Sequence, residues 1–472
     1  MRKKLFDSMK AKGKVCQKLT RTRPKEPVPR VTPTLKSLID SHSSGVICAS
    51  RTTNDDDLSR FPSRTTTFFG DTPLFGAVAA PRIHSHHAQP LLLILLWCLL
   101  LRIISNIYQM ASKVLVVGSG VIGLRTALEL LRKNVSVCLV SPKSPTDVAT
   151  TSMGAGGLWM PFHCDDTRVN VWATETLDEL ATQHANVEVV PKVAFKRQYT
   201  EPPSWGKNAV LKFQEMDVDS LYKHGVHNNI RLPPRESIKN AGYTHAWLFY
   251  PPIVDAPHAL HAMLQEIKMH KHTSYINVDT NKYFKTMKEI VAEARTLGCD
   301  GVVNCTGLGS KALCNDDSLV GARGVLLHYD RYHPSLWREA SEDDTLLKDS
   351  AVTIQEEPFG SETMPCYIIP RGDRLVVGGT YLVGDEEECV RESERETIAK
   401  NAYVMGIDTA KNKPVGEWVG FRPYRSSVRL ECDEDLSQSG VRVVHNYGFG
   451  GSGWTVYVGA AKEAAALMTR TT

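Results

Sequence analysis

The sequence lacks the cysteine and histidine spacings of a metal site. Its 11 cysteines are scattered, with no CxxC pair and no Cys/His cluster at zinc spacing, so no metal is expected. A chain of 472 residues also needs no disulfide framework to fold. The cysteines are therefore predicted to be reduced and mostly buried, which is typical of a protein that is not secreted.

The body of the chain lacks the positive charge that a nucleic-acid partner requires. Residues 1–109 contain 17 Lys and Arg against 7 Asp and Glu, whereas the remainder contains 39 against 45. The formal net charge of +4 therefore comes from the N-terminal extension. No nucleic-acid partner is expected for the mildly acidic body.

The sequence also lacks an apolar run of the length that an ordinary membrane span needs. LLLILLWCLLL (91–101) has 11 apolar residues, whereas a span takes about 20, and continuing to residue 107 includes Arg102. Residues 1–89, rich in Lys, Arg, Ser, Thr and Pro, are predicted to be disordered. Three interpretations of residues 91–107 stay open: a weak membrane anchor, part of an unusual targeting peptide, or sequence upstream of a natural start at Met110.

A glycine-rich turn follows the first strongly apolar segment of the body. KVLVVGSGVIGLRTALELLRKNVSVCLVS (113–141) contains an apolar run, GxGxxG, an amphipathic helix and a second apolar run. In this context the three glycines permit a tight turn, close approach to a pyrophosphate and helix–strand packing. The pattern predicts a Rossmann-like dinucleotide-binding fold. The residues assigned to the turn are Gly118, Ser119, Gly120, Val121, Ile122 and Gly123.

The acidic residue that usually holds the adenosine ribose is missing at the end of the second strand. Ser141 stands there, followed closely by Lys143, and either side chain could contact the ribose or a phosphate. Two further segments are predicted to reach the same ligand. They are the hydroxyl run Thr150, Thr151 and Ser152, and the turn Thr306-Gly307 after the buried strand GVVN (301–304).

A second glycine-rich turn, VVHNYGFGGSGWT (443–455), lies near the C-terminus and precedes a helix-like segment. Its residues match the C-terminal signature of the D-amino-acid oxidase family, which includes D-aspartate oxidase. GLWMPF (157–162), NCTG (304–307), YIIPRGD (367–373), GGTY (378–381) and GFRPYR (420–425) match in the same order. The chain from about Lys113 to Met468 therefore resembles this family, whereas residues 1–109 have no counterpart in it.

The resemblance implies that FAD is the cofactor and that the C-terminal turn contacts the flavin. The family oxidises a D-amino acid to a 2-oxo acid and ammonia by hydride transfer to FAD, which O2 reoxidises with formation of H2O2. Backbone N–H groups at a helix start would stabilise negative charge that develops on the flavin. The residues implied as flavin contacts are Gly157, Leu158, Gly450, Gly451, Ser452, Gly453, Trp454 and Thr455.

The resemblance also implies a set of substrate-binding residues. Arg422 matches the arginine that binds the substrate carboxylate, Tyr367 the tyrosine that supports it, and the Gly451 carbonyl the acceptor for the substrate amine. Met160 and Tyr381 are expected to form pocket walls, Tyr381 where aspartate-selective members carry an arginine.

Neutral, apolar or small D-amino acids are therefore expected to be preferred over D-aspartate. Arg323 or Arg371 would reverse this preference if either reached the pocket. A further departure is Thr363, which stands where mammalian-type members place a lid tyrosine.

The alternatives are a D-aspartate oxidase, a glycine or sarcosine oxidase on the same fold, and a catalytically silent flavin-binding protein. The expected partners are a small-molecule D-amino acid and O2, with a membrane only if residues 91–107 are an anchor, and a homodimer stays open. Family members are often peroxisomal, but the chain ends Arg470-Thr471-Thr472, so the choice between peroxisome and cytoplasm also stays open.

The predicted fold class is α/β, with an FAD-binding domain (110–165, 255–325 and 416–472), an interleaved α+β substrate domain on a mixed sheet (166–254 and 326–415), and an N-terminal extension (1–109).

Overall fold

The structure, a computed structural model, describes residues 96–97, 112–281, 283–338, 344 and 346–470. The chain divides into two compact units, Met1–Trp97 and Cys98–Thr472. Only residues 96–97 of the first unit are described, and both are helical and exposed. The predicted disorder of residues 1–89 and most of the segment 91–107 lie outside the described residues. Within the described part, no helix combines the length and apolar character that crossing a membrane requires.

Most strands of the described residues are short, and the longest are Val320–Asp330 with 11 residues and Gly416–Cys432 with 17. Their alternating or continuous apolar runs, as in Lys113–Val117 and Ser136–Ser141, are typical of buried strands. The strands are β1 (Lys113–Val117), β2 (Ser136–Ser141), β3 (Val187–Val189), β4 (Lys192–Lys196), β5 (Gln214–Asp217), β6 (His245–Phe249), β7 (Pro252–Val254), β8 (Thr273–Val278), β9 (Gly301–Asn304), β10 (Val320–Asp330), β11 (Ala351–Ile354), β12 (Cys366–Arg371), β13 (Arg374–Gly378), β14 (Leu382–Val383), β15 (Gly416–Cys432) and β16 (Arg442–Phe449).

Fourteen of these strands form one mixed sheet in the order β5-β6-β4-β11-β12-β13-β10-β15-β16-β9-β1-β2-β8, with β14 paired to β10. The five strands from β16 to β8 are parallel. From β16 through β15, β10, β13 and β12 to β11, every neighbouring pair is antiparallel. The predicted α/β class, with a parallel dinucleotide-binding half and a mixed remainder, is confirmed.

Helices cover the parallel strands, and two of them begin at the glycine-rich turns. The apolar face predicted for the first helix is buried, with Leu124, Ala127, Leu128 and Leu131 almost inaccessible to solvent. The helices are α1 (Val121–Arg132), α2 (Thr151–Gly154), α3 (Val169–Leu180), α4 (Val218–His227), α5 (Arg235–Asn240), α6 (Ala256–Met269), α7 (Met287–Thr296), α8 (Ser310–Cys314), α9 (Glu392–Val404), α10 (Glu434–Ser437) and α11 (Gly453–Thr469).

Separate hydrophobic clusters hold the two halves of the sheet. One cluster joins β1, β2 and β9 to α1, α3, α6 and α11. Another joins β4, β6, β10, β11, β12 and β13 to α4 and α9. Both belong to the unit Cys98–Thr472, so the predicted division into two domains stays a prediction. Cys138, Cys299, Cys305 and Cys366 are buried thiols.

Candidate active site

A cavity of about 530 Å³ runs from the first glycine-rich turn to the antiparallel face of the sheet. The carboxyl ends of the parallel strands β1, β2 and β9 open into one end of it, where doubly wound sheets bind ligands. Strands β10, β11, β12 and β15 contribute side chains to the other end. One cavity is therefore lined by most of the residues that the sequence assigned to the dinucleotide and to the substrate.

The first turn has the backbone geometry that its glycines predict. Gly118 has a φ of +108°, and a Cβ added there would lie 2.4 Å from the carbonyl oxygen of Cys305. Gly123 packs so closely that its Cβ would be 1.9 Å from the Gly118 carbonyl oxygen, and Gly123 does not line the cavity. The other five predicted residues of the turn, 118–122, line it.

Among the described residues that line the far end of the cavity, none has a carboxylate that could bind a ribose. Ser141 and Lys143 line the wall, as predicted, and the hydroxyl of Ser119 donates to the Lys143 carbonyl oxygen at 2.8 Å. Tyr283 and Phe284 line the same end. Sequence analysis missed both because they lie in an irregular loop. Their position after β8, the strand beside β2, was the available signal, since that loop leaves the carboxyl edge of the sheet.

The three hydroxyl residues of the second segment line the cavity and also tie its wall together. Thr150 donates to the Asp147 carbonyl at 2.7 Å, and Thr151 donates to the Phe421 carbonyl at 2.8 Å. Ser152 accepts the Val121 N–H at the start of α1, at 3.1 Å. The hydroxyls therefore fasten this loop to α1 and to β15. Gly157, Leu158, Thr306 and Gly307 also line the cavity.

The C-terminal turn is a 3-10 segment, Gly450–Ser452, that leads directly into α11. Gly450 has a φ of +51°, and a Cβ there would lie 2.2 Å from the His163 carbonyl oxygen. No side chain of the described residues caps α11. Since four residues of the turn and the first turn of α11 line the cavity, that end of the cavity is suited to negative charge. These lining residues are Gly450, Gly451, Gly453 and Trp454.

Two residues predicted as flavin contacts lie behind the cavity wall. Ser452 accepts the Phe162 N–H at 2.8 Å and donates to the Phe162 carbonyl at 3.0 Å. Thr455 makes the same pair of bonds with Met160, at 3.2 and 2.9 Å. Neither Ser452 nor Thr455 is among the lining residues, whereas Met160 and Phe162 are. The two hydroxyls therefore hold the segment that forms the wall.

Arg422 lies on β15 and extends over the neighbouring strand β10. Its Nη1 would be 2.3 Å from a Cβ at Gly324, so the guanidinium lies flat where that glycine leaves room. Nη1 donates to the Thr380 carbonyl at 3.1 Å. A guanidinium has five N–H donors, so Arg422 retains donors that can bind a carboxylate in the cavity.

Tyr367 lies on β12 and is close enough to Arg422 to form a hydrogen bond with it. Its ring lies over Gly378, where an added Cβ would be 2.2 Å from Cζ. Burial raises the pKa of the Tyr367 hydroxyl, while the charge of Arg422 and a hydrogen bond to it act in the other direction. The structure thus brings together the two side chains that the sequence assigned to one carboxylate.

Tyr381 does not line the cavity. Its ring stacks on His163 with centroids 3.9 Å apart, and Arg422 lies 5.5 Å from its ring centroid. Burial raises the pKa of Tyr381 to about 12. Its N–H donates to the Thr363 carbonyl at 2.8 Å. Tyr381 therefore supports Arg422 from behind, and its predicted contact with substrate stays a prediction.

The two arginines that could have reversed the substrate preference are bound to other groups of the protein. Arg323 is fully buried and forms an ion pair with Glu394. Arg371 donates to the Ala155 carbonyl. Neither is among the lining residues. Thr353 and Gln355, at alternate positions along and just after β11, do line the cavity and were missed in the sequence, because their facing depends on the pairing of β11 with β12.

The glycine positions fit a flat, extended cofactor. A Cβ at Gly120 would meet the Ser152 hydroxyl at 3.2 Å, and one at Gly451 would meet the Phe162 ring at 2.7 Å. Bare backbone therefore lines the cavity at the starts of α1 and α11, which lie close together, since a Cβ at Gly453 would be 4.0 Å from Cγ1 of Val121. Residues 118–122 would hold the phosphates, and Gly450, Gly451, Gly453 and Trp454 the flavin.

Comparison with known proteins identifies the family of the chain. The model of the FAD dependent oxidoreductase family matches residues 113–467. D-Amino-acid oxidase of Dictyostelium discoideum is 29% identical over 369 residues, which are 75% of this chain and 90% of that protein. Human D-aspartate oxidase is 29% identical over 377 residues, 76% of this chain and 95% of that protein.

Solved structures show the same fold at lower identity. Glycine oxidase from Bacillus cereus has a TM-score of 0.55 and 15% identity, covering 76% of this chain and 94% of that one. L-α-Glycerophosphate oxidase from Mycoplasma pneumoniae, with FAD bound, has a TM-score of 0.55 and 14% identity, covering 76% and 95%. The family model covers most of the chain, the cofactor of the family is FAD, and the resemblance seen in the sequence motifs is confirmed. This protein belongs to the family of FAD dependent oxidoreductases.

Proposed function

We propose that this protein oxidises neutral D-amino acids to 2-oxo acids, with release of ammonia and formation of H2O2. The observation that carries the proposal is the convergence of Arg422 and Tyr367 in the cavity that also contains the C-terminal glycine turn. When bound, FAD supplies the acceptor for the two electrons that leave the substrate. The protein has to bind the substrate and direct its Cα–H.

Arg422 and Tyr367 supply the carboxylate end of the substrate site. The guanidinium offers two parallel N–H donors, and the tyrosine hydroxyl offers a third group at the same point. Since Arg422 lies over Gly324 and Tyr367 over Gly378, both side chains are held against the sheet and cannot swing freely. The Gly451 carbonyl, at the other wall, is the proposed acceptor for the substrate amine. Three fixed points orient an amino acid and select one configuration at Cα.

The residues that line the cavity favour a reaction that depends on the orientation of the substrate and not on a general base. Among the described residues that line the cavity, none is Asp, Glu or His. A carboxylate or imidazole that could take a proton from the substrate carbon is therefore missing from the lining. Hydride removal, which needs no such base, fits this composition better than proton abstraction does.

The charge of the lining favours a neutral substrate side chain. Arg422 and Lys143 are the two basic residues among the described lining residues, and Lys143 lies beside Ser141 at the dinucleotide end. With Arg422 engaged by the α-carboxylate, an acidic side chain would be buried without a cation, which is costly. Met160, Phe162 and Ile369 provide apolar walls instead.

A substrate panel on the purified holoprotein tests the proposal. Peroxide formation would be compared with D-alanine, D-methionine, D-aspartate, sarcosine and L-alanine. We expect the two neutral D-amino acids to react fastest and L-alanine not to react. Faster reaction of D-aspartate or of sarcosine would replace the proposal with the corresponding oxidase. Bound FAD that no amino acid reduces under anaerobic conditions would indicate a silent flavin-binding protein.

A further inference from the structure

A buried chain of hydrogen bonds runs from the cofactor half of the cavity to α10. It begins at Thr306, which lines the cavity, and passes through Asn304 and His445 to Asp433. The side chains of Asn304 and His445 are fully buried. The VVHNYG stretch contains this histidine, but neither the substrate site nor the glycine turn explains it.

One backbone N–H determines the orientation of the Asn304 amide. The Thr306 N–H lies 3.2 Å from Oδ1 of Asn304, and the Thr306 hydroxyl lies 2.8 Å from the same atom. A backbone N–H can only donate, so the atom that it faces must be the amide oxygen. The Asn304 amide nitrogen therefore points the other way, toward the histidine.

The amide orientation in turn determines the tautomer of His445. The Asn304 Nδ2 lies 3.2 Å from Nδ1 of His445, and an amide NH2 can only donate. Nδ1 must therefore be an acceptor, and the ring proton must be on Nε2. Nε2 lies 3.0 Å from the Asp433 carboxylate, which is the acceptor that this tautomer requires.

The surroundings disfavour the charged form of the ring. Burial lowers the pKa of His445, and the charge of Arg429 lowers it further, whereas Asp433 and Glu431 act in the opposite direction. Cys314 and Tyr447 are the other titratable side chains against the ring. An added proton on Nδ1 would face the NH2 of Asn304, so imidazolium is incompatible with the hydrogen-bond chain.

We propose that His445 is a positioning residue for the FAD site. Its neutral Nε2–H tautomer holds the Asn304 amide in the one orientation that fastens Thr306, and so shapes the Thr306–Gly307 turn for the cofactor. This inference depends on FAD as the cofactor, and it does not depend on which amino acid is oxidised.

Two substitutions of His445 separate this role from simple packing. His445→Asn places an oxygen where Nδ1 was and keeps the acceptor for Asn304. His445→Gln places an amide nitrogen near Nε2, keeps the bond to Asp433 and loses the acceptor. Glutamine is closer to histidine in size, so a packing role predicts that His445→Gln is the milder change, whereas the positioning role predicts the reverse order.

The readout is the dissociation constant of FAD, measured by flavin fluorescence after dilution of the holoprotein. We expect His445→Gln to weaken FAD binding roughly tenfold, because the buried Asn304 amide loses its His445 acceptor and keeps only Ser310 Oγ at 3.2 Å and Cys314 Sγ at 3.5 Å. We expect His445→Asn to stay within about threefold of the wild type. Equal affinities, or weaker binding by His445→Asn, would overturn the proposal.

A measurement on the unaltered holoprotein gives a second, independent test if neither variant folds. ¹⁵N shifts of the buried, slowly exchanging imidazole distinguish the two tautomers. An Nε2–H ring with a pKa below the ordinary histidine value is expected. An Nδ1–H ring, or a pKa above the ordinary value, would contradict the assignment.

Discussion

Replacing Arg422 by leucine should abolish most of the turnover while FAD stays bound. Arg422 lies over Gly324 on the sheet, and the residues assigned to FAD belong to the two glycine turns, not to Arg422. The leucine side chain would occupy part of the same space but would offer no donor to a carboxylate. The expected result is therefore a loss in catalysis without a loss of cofactor.

The size of the loss follows from the hydrogen bonds that are removed. A bond to a charged group contributes about 1.5–3 kcal/mol, so two parallel bonds contribute about 3–6 kcal/mol. At about 1.4 kcal/mol per factor of ten, kcat/KM should fall roughly 10²–10⁴-fold. Arg422→Lys keeps the positive charge but loses the two parallel N–H donors, so its kcat/KM should lie between the values of the wild type and Arg422→Leu.

The assay is peroxide formation with D-alanine, with FAD content read from visible absorbance. Arg425→Leu is the matched control, because Arg425 lies on the same strand, binds Asp316 at 3.0 Å and does not line the cavity. Arg425→Leu should keep kcat/KM within a few-fold of the wild type, by the same estimate. A value for Arg422→Leu within about tenfold of the wild type, with FAD bound, would refute the carboxylate role of Arg422.

Two further substitutions test the turn and the core. Gly450→Ala should weaken FAD binding and lower the Tm, since its Cβ would meet the His163 carbonyl at 2.2 Å. Gly384→Ala is the control, because Gly384 has a φ of +77° with open space around it. It therefore measures the cost of backbone strain without a clash. If both variants lose the same stability and keep FAD, the close contact at Gly450 is not important. Lys192 is fully buried, and burial holds its pKa well below the ordinary value. The unfolded chain therefore binds a proton that the folded chain lacks, and stability rises with pH up to about 10.4, the pKa of the unfolded side chain. Lys192→Met should raise the Tm at pH 7 and remove this dependence of stability on pH. The control Lys196→Met, at a part-exposed lysine, should do neither. An unchanged Tm and pH dependence in Lys192→Met would mean that the lysine is charged when the protein is folded.

The first element of the fold was predictable because its signals are local. An apolar run, three glycines and a helical apolar face are contiguous in sequence, and β1, the turn and α1 form as that pattern predicts. The C-terminal turn was predictable for the same reason. Its residues 450, 451, 453 and 454 line the cavity as expected.

The substrate half depends on pairings that a single stretch of sequence does not reveal. Arg422 and Tyr367 meet only because β15, β10, β13 and β12 are neighbours in a definite register, and motif resemblance substituted for that knowledge. Side-chain direction was the main source of error. Ser452 and Thr455 face the segment around Met160 and Phe162 instead of the cavity.

The two glycines under Arg422 and Tyr367 have a consequence for the size of the site. Because Gly324 and Gly378 have no side chains, the side chains of Arg422 and Tyr367 lie along the surface of the sheet. The space above these two side chains therefore stays open to a substrate. The depth available to a substrate is thus determined by two positions that contribute no side-chain atoms to it. A larger substrate cannot be accommodated by a smaller residue at Gly324 or Gly378, since glycine is already the smallest residue. Any enlargement of the site has to come from the apolar residues of the cavity wall.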